Sequence, residues 1–151
     1  MSIMYIFEIN IAQRQNTNVT SVDIVKCYLE AGWSLYTERN QIIYTELGDN
    51  GDFDFVANSI SENEYFDIIM QKEKNNEIIA LALFWLEENY RYRIDVMITP
   101  EFDISISPDD GTKKMLIPKL NILDVNWYLY RVLPPLADKN ILVEYFEFTQ
   151  V

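Results

Sequence analysis

The sequence predicts an α+β fold in which a mainly antiparallel β-sheet carries about three helices packed against it. Many short segments alternate apolar and polar residues, a pattern typical of strands with one buried face. These segments mostly follow one another directly along the chain, which favours antiparallel pairing over the strand–helix alternation of a parallel sheet. The 151 residues contain no Gly-, Ser- or Pro-rich linker, so we expect a single domain over 1–151.

Residues typical of helix starts and stops define three helical segments. The expected helices span 20–31, 61–74 and 124–133. Thr20 and Ser61 are each followed three residues later by an acid, which is the spacing of a capping box. Asp124 is a favourable N-cap for the third helix. Pro134 should end that helix, because proline lacks the N–H that a helix interior needs.

The remaining regular segments are expected to be strands. They lie at 3–11, 33–36, 41–47, 53–57, 78–86, 92–98, 102–106, 113–117 and 141–149, with a polar loop at 13–18. The segment 78–86 is apolar throughout and fits a buried strand or a buried helix, and its short length and polar flanks favour a central strand. The residues expected in the core are Phe7, Tyr28, Ile69, Leu81, Leu83, Ile94, Ile104, Leu129 and Val143.

The residue inventory argues against an enzyme. The chain has no histidine and four glycines, and its sequence contains no phosphate-binding glycine loop and no histidine-based metal or nucleophile motif. We therefore expect no catalytic residue, no metal and no cofactor. An enzyme that uses carboxylates alone is the alternative, and Asp95, Glu101 or Asp103 would supply its acid and base.

The compartment is expected to be the cytoplasm. Cys27 is the only cysteine, so no internal disulfide can form, which suits a reducing environment. The first eight residues lack the basic start of a signal peptide. The longest apolar run, 78–86, is far shorter than the roughly 20 residues of a membrane-spanning helix. We expect no membrane segment.

Two local features each have a structural and a functional interpretation. Cys27 lies beside Lys26, which can lower the pKa of a thiol, but the chain has no histidine to activate it, so we expect a structural cysteine. The segment from Asp49 to Asp54 contains three acids, the ligand type that Ca²⁺ prefers. It lacks the glycine and the distal glutamate of an EF-hand loop, so we expect an ordinary turn.

Charge is the strongest functional indication in the sequence. Twelve basic residues against 24 acidic ones give a formal net charge of -12. This charge disfavours direct binding to nucleic acid or to an anionic membrane, which both attract cations. The segment from Gln41 to Gln71 has seven acids, interleaved aromatics and no basic residue. Aromatic side chains flanked by charges suit protein interfaces, and the segment 87–110 is a second acidic stretch.

A basic protein partner is the expectation that follows from this charge. The candidate partner-binding residues are Tyr44, Glu46, Asp52, Phe53, Asp54, Glu62 and Asp67. In its size, its acidity and its lack of catalytic motifs, the chain resembles the bacterial immunity proteins of toxin–immunity pairs, including those of contact-dependent growth inhibition. The resemblance implies an inhibitor that covers the active site of one cognate basic toxin, such as a nuclease. The alternative is a nucleic-acid mimic that inhibits a DNA-binding protein or a restriction enzyme.

Overall fold

A computed structural model describes residues 3–12 and 18–150 of the chain. The nine strands of the described residues are β1 (Tyr5–Ile11), β2 (Ile42–Thr45), β3 (Phe55–Asn58), β4 (Ile79–Glu87), β5 (Tyr90–Ile98), β6 (Asp103–Pro108), β7 (Met115–Ile117), β8 (Ile122–Leu123) and β9 (Val143–Gln150). The four α-helices are α1 (Ser21–Ala31), α2 (Glu62–Lys74), α3 (Val125–Val132) and α4 (Pro134–Asp138). The polar loop expected at 13–18 lies outside the described residues except for Asn18.

Seven of the strands form one sheet, in the order β3-β2-β4-β5-β6-β1-β9. Every neighbouring pair in it is antiparallel, and β7 and β8 form a separate two-stranded ribbon. The segment expected as a central strand at 78–86 is β4, which lies in the middle of the sheet. The predicted α+β class with a mainly antiparallel sheet is therefore confirmed.

The two faces of the sheet have different surroundings. Residues directly opposite one another share a face, and one such row is Tyr44, Leu81, Val96, Ile106 and Phe7. All five are buried, because the helices cover this face. On α2 the ring of Tyr65 packs 5.1 Å from that of Tyr44, and on α3 the ring of Tyr128 packs 5.8 Å from that of Phe7.

The face away from the helices is called the open face below. Its central row crosses all seven strands and consists of Phe55, Thr45, Ala80, Met97, Ser105, Glu8 and Glu147. Polar and charged side chains occupy the β6, β1 and β9 end of this row. The open face thus presents carboxylates on a rigid sheet rather than on loops alone.

The three predicted helices are confirmed, with the caps that the sequence indicates. The hydroxyl of Thr20 accepts from the Asp23 N–H, and the Asp23 carboxylate accepts from the Thr20 N–H, which completes a capping box. Ser61 caps α2 by accepting from the N–H three residues on, and Asp124 caps α3 in the same way. Within the described residues, no helix is both long enough and apolar enough to span a membrane.

The chain becomes helical again directly after α3, which the sequence analysis did not predict. Pro134 ends α3 as expected, but it also begins α4. A proline is favourable in the first turn of a helix, where its missing N–H would have no intrahelical partner. Leu136 on this short helix is fully buried and anchors it to the core.

The segments expected as strands at 33–36 and 53–57 differ from the prediction in the structure. Between Trp33 and Tyr36 the chain forms isolated bridges to Phe84 and Ile42 instead of a strand, and the second bridge closes the expected turn. The strand expected from Phe53 begins two residues later at Phe55, because Phe53 has a left-handed backbone with φ of 57°. A residue in that conformation cannot continue a pleated strand.

Most of the residues predicted for the core are buried, but the prediction is wrong for Val143. The residues with full burial are Phe7, Tyr28, Ile69, Leu81, Leu83, Ile94 and Ile104. Leu129 is partly buried against them. Val143 is 37% exposed, because it begins the edge strand β9 beyond a register shift next to Asn10. Phe146 and Phe148, further along β9, pack against Phe7 instead.

Candidate functional site

A buried lysine holds the acidic loop between β2 and β3 in place. Residues 46–54, called the β2–β3 loop below, lie in the segment that contains no basic residue. Lys72 on α2 is 1% exposed, and its ammonium donates to the backbone oxygens of Glu46 at 2.7 Å and Asp49 at 2.8 Å. It also pairs with Glu77 at 3.1 Å. The loop is therefore fixed from its inner side, while Glu46 remains exposed.

The conformation of this loop depends on the carboxylate of Asp49. Its two oxygens accept the N–H groups of Asp52 at 3.0 Å, Phe53 at 3.2 Å and Asp54 at 2.8 Å. Partial desolvation acts to raise the pKa of Asp49, but these hydrogen bonds outweigh it and hold the pKa below its usual range. The contacts support a turn rather than a Ca²⁺ loop, and no group of metal-ligating side chains is found in residues 3–12 and 18–150.

Phe53 is an exposed aromatic residue in a strained backbone conformation. Its φ of 57° lies in the left-handed region. In the described part of the chain, five of the seven other non-glycine residues with positive φ are asparagines, which tolerate it. The side chain is 42% exposed. A left-handed backbone costs on the order of 1–3 kcal/mol at a non-glycine residue. The hydrogen bonds to Asp49 therefore maintain Phe53 in a position that its own preferences oppose.

The ring of Phe53 borders a groove on the open face. This cavity of about 600 Å³ is called the acidic groove below. It lies between the rings of Phe53 and Phe55 near the start of β3 and the side chains of Met4 and Ile6 near the start of β1. Its apolar lining comes from Phe53, Phe55, Met4, Ile6 and Met97, and its polar lining includes Glu8, Asp95, Ser105, Ser107, Asp109 and Asp110. Four carboxylates thus share one groove with two aromatic rings, an arrangement that fits the aliphatic stem and charged end of a basic side chain.

Asp95 lies on β5 in the middle of this groove. It faces Ser107 on one neighbouring strand and Ala82 on the other. Its carboxylate accepts from the Arg93 Nε at 2.8 Å, which is its only hydrogen bond within the described residues. Desolvation raises the pKa of Asp95 above its usual range, although Arg93 acts in the opposite direction. The carboxylate is therefore incompletely compensated, and a second cation in the groove would stabilise its charged form.

Two glutamates extend the negative charge toward the β9 edge. Glu8 on β1 and Glu147 on β9 are directly opposite each other, and neither forms a salt bridge within the described residues. Like charges in this arrangement repel each other and destabilise the pairing of the strands. The Glu147 carboxylate accepts a hydrogen bond from the Tyr145 hydroxyl, which raises the pKa of that tyrosine. The acidic part of the open face thus extends from Asp95 on β5 to Glu147 on β9.

The structure places the candidate residues in three separate locations: the β2–β3 loop, the exposed side of α2 and the core. Glu46, Asp52, Phe53 and Asp54 belong to the β2–β3 loop beside the acidic groove. Glu62 and Asp67 are exposed on α2, in the helical layer on the other side of the sheet, so they lie apart from the acidic groove and are not part of the site described here.

Tyr44 does not belong to any exposed surface. It is 4% exposed, its ring packs on Tyr65 in the core, and its hydroxyl accepts from the Asn58 amide at 3.0 Å. Its ring is not available to a partner, so we remove Tyr44 from the site.

The residues that complete the groove are not among the candidates expected from the sequence. Glu8 lies in the expected strand 3–11 and Asp109 in the acidic stretch 87–110, and neither was expected to belong to a site. Strand alternation alone places Glu8 and Asp95 on the polar faces of their strands. It does not indicate that β1 and β5 both adjoin β6, which is what brings the two carboxylates onto one surface.

Cys27 lies outside this site, in the helical layer. It is buried on α1, beside a cavity of about 250 Å³ that Glu30 and Lys139 also line. Burial, together with the nearby carboxylates of Glu30 and Asp23, raises the pKa of its thiol to about 11. The thiol is therefore protonated at neutral pH, which agrees with a structural cysteine and not with a nucleophile.

Comparisons with protein-family models, curated proteins and solved structures found no match to this chain.

Proposed function

We propose that this chain is a cytoplasmic inhibitor of the immunity type, which binds a basic protein toxin and covers its active site. In this proposal the chain has no catalytic role and needs no cofactor. The toxin acts on a polyanionic substrate such as nucleic acid, because an active site for that substrate is cationic. The inhibitor occupies the cationic site with its own carboxylates.

The acidic groove is the observation that carries this proposal. It combines carboxylates on rigid strands with the exposed ring of Phe53, whose strained backbone is held by three hydrogen bonds to Asp49. Strained residues that the surrounding structure maintains are concentrated at functional sites. Aromatic side chains are enriched at protein interfaces, and a few of them commonly supply most of the binding energy.

Net charge supports the same proposal through the rate of association. A net charge of -12 attracts a basic partner over distances comparable with the screening length, about 8 Å at physiological salt. Such attraction raises the association rate and weakens as salt increases. The Phe53 ring and the groove carboxylates that become buried would act on the dissociation rate instead.

The test uses two variants that change the net charge by the same amount. The groove variant carries Glu8→Lys in the acidic groove together with Asp52→Lys and Asp54→Lys in the adjoining β2–β3 loop, and the control carries Glu62→Lys, Glu64→Lys and Asp67→Lys on α2. The tagged wild-type chain is used to purify its partner from the native host, and association kinetics are measured for all three proteins at low salt. The activity of the partner is then measured with and without the wild-type chain.

The expected partner is one stoichiometric basic protein whose activity the wild-type chain abolishes. The groove variant should associate at least about tenfold more slowly than the control variant, because it reverses charge at the contact as well as overall. Equal rates for the two variants would show that the groove is not the interface. A multi-subunit DNA enzyme as the partner would support the nucleic-acid mimic instead.

A further inference from the structure

A second groove with the opposite charge lies on the same open face. This cavity of about 410 Å³, called the arginine groove below, is lined by Arg39, Arg91 and Arg93 around the ring of Phe84. Asp109 lines both this groove and the acidic groove, so the two adjoin. Three of the twelve basic residues of an acidic protein therefore meet in one cavity.

The guanidinium groups in this groove retain most of their donors. Arg91 donates from Nη1 to the Tyr36 carbonyl at 2.7 Å, and Arg93 donates from Nε to Asp95 at 2.8 Å. The side chain of Arg39 has no hydrogen bond or ion pair within the described residues. Each guanidinium has five N–H donors in a fixed fork. The groove therefore offers many charged donors that the folded chain itself does not use.

Two acids also line the arginine groove, and neither forms a salt bridge with its arginines within the described residues. Asp109 is engaged in its own turn, where its carboxylate accepts from the Gly111 N–H at 3.2 Å and lies 3.5 Å from the Thr112 hydroxyl. Glu38 is exposed beside Arg39. Arg93 is paired with Asp95, so Arg39 and Arg91 are the arginines of this groove that have no carboxylate partner within the described residues.

We infer that the arginine groove binds a carboxylate side chain of the same protein partner, an inference that rests on the proposed function. Arginine suits this ligand because its fork matches the two oxygens of a carboxylate. A phosphate group carries more negative charge, which the adjoining carboxylates of the acidic groove would repel. The partner therefore presents a basic and an acidic side chain close together, one for each groove.

The test uses a small probe and needs no partner. N-acetylglutamate N-methylamide is titrated into the isotope-labelled protein at low salt, and backbone amide shifts are followed by NMR. The neutral glutamine counterpart and inorganic phosphate are titrated in the same way. The variants are Arg39→Gln, Arg39→Lys and the control Lys119→Gln, which removes one exposed charge outside the groove.

Saturable shifts at residues 37–41 and 91–93 with the glutamate probe, and none with the glutamine probe, are the expected result. Arg39→Gln should weaken binding at least about fivefold, Arg39→Lys less, and Lys119→Gln by less than about twofold. No saturation with the glutamate probe, equal weakening by Lys119→Gln, or tighter binding of phosphate would each overturn the inference. Because the partner is absent from this experiment, its failure would leave the acidic groove and the proposed function standing.

Discussion

At the scale of single residues, Lys72 decides the shape of the candidate site. A fully buried ammonium is expensive to desolvate unless acceptors surround it. Here two backbone oxygens of the β2–β3 loop and the Glu77 carboxylate do so. Glu77 in turn accepts from the Gly48 N–H at 2.8 Å. One side chain from a helix therefore organises a loop that lies more than twenty residues earlier in the chain.

Replacing Lys72 by methionine should destabilise the fold by about 3–5 kcal/mol, because it leaves Glu77 and two carbonyls without their buried partner. Urea unfolding measures this loss, and hydrogen exchange should show faster exchange of the Asp52 and Phe53 amides. Lys74→Met on the same helix is the control, since Lys74 is exposed and its loss should cost less than about 1 kcal/mol. Equal losses for the two variants would contradict the role assigned to Lys72.

At the scale of elements, close contacts at the ends of helices and strands fix how the layers meet. Gly32 ends α1 with φ of 124°, and a Cβ at this position would lie 2.9 Å from the ring of Trp85 on β4. Trp85, Trp33 and Trp127 pack edge to face, and the Arg131 guanidinium lies 4.2 Å from the Trp127 ring centre. The end of α1 can therefore approach the sheet closely only with glycine at position 32.

Gly32→Ala should be more destabilising than Gly48→Ala by at least about 1 kcal/mol. Both glycines have positive φ, so both substitutions strain the backbone, at about 1–3 kcal/mol each. Only at Gly32 does the new methyl group meet another side chain, whereas no atom lies within 4 Å of the Cβ position at Gly48. The crowding against Trp85 adds the difference. Denaturant unfolding of the two variants measures it, and equal losses would mean that Trp85 moves aside at no cost.

Glu87 at the end of β4 links three elements. Its carboxylate accepts from the Trp127 Nε1 at 3.2 Å on α3 and from Lys114 at 3.3 Å before β7, and Arg131 lies 3.7 Å away. The hydrogen bond from Trp127, supported by the two cations, holds the pKa of Glu87 below its usual range. The folded state thus favours the charged carboxylate more than the unfolded chain does.

This lowered pKa predicts a loss of stability in acid. The contribution of Glu87 is present above the ordinary glutamate pKa of about 4.3 and is lost as the pH falls through the lowered value. Glu87→Gln should therefore be less stable than wild type at pH 7, and the difference should shrink as the pH falls toward about 2. Unfolding free energies across this range test it, with Glu88→Gln as the control. A difference that does not change with pH would show that the charge of Glu87 is not stabilising.

At the scale of the whole molecule, unbalanced charge is the dominant property. Acids outnumber bases by two to one, and the open face places Glu8 and Glu147 opposite each other. This repulsion opposes folding and is screened by salt. A protein that keeps such a surface exposed is less stable than it would be with neutral residues there. A basic partner would relieve the repulsion, which is consistent with the proposed function.

The melting temperature should accordingly rise as NaCl increases from about 10 to 300 mM. At low salt, Glu147→Gln should raise it by about 1–3 °C, because it removes one side of the cross-strand repulsion. Glu144→Gln is the control on the same strand, since residue 144 lies between the paired positions 143 and 145 at the register shift. A larger rise for Glu144→Gln would show that net charge, and not the Glu8–Glu147 pair, sets the effect.

The helices and most strands of this protein can be predicted from local sequence patterns. The capping residues Thr20, Ser61 and Asp124 begin the three predicted helices. The alternation of apolar and polar residues predicts the segments that form β1, β5 and β6. These features can be predicted because a cap or an alternating strand depends on residues only a few positions apart. The apolar faces of the predicted helices and strands, with the apolar run 78–86, indicated the seven core residues that are fully buried, and the composition showed the acidic segment 41–71.

Which acids share a surface depends on strand pairings between distant parts of the chain. β1 pairs with β6 and β9 across about 90 to 145 residues of chain, and these pairings bring Glu8 beside Glu147 and onto the surface that Asp95 shares. Tyr44 and Phe53, both aromatic and both within two residues of an acid in the sequence, are separated into the core and the groove. The inward position of Lys72 likewise depends on packing between distant elements, which hydrophobic periodicity within one element does not encode.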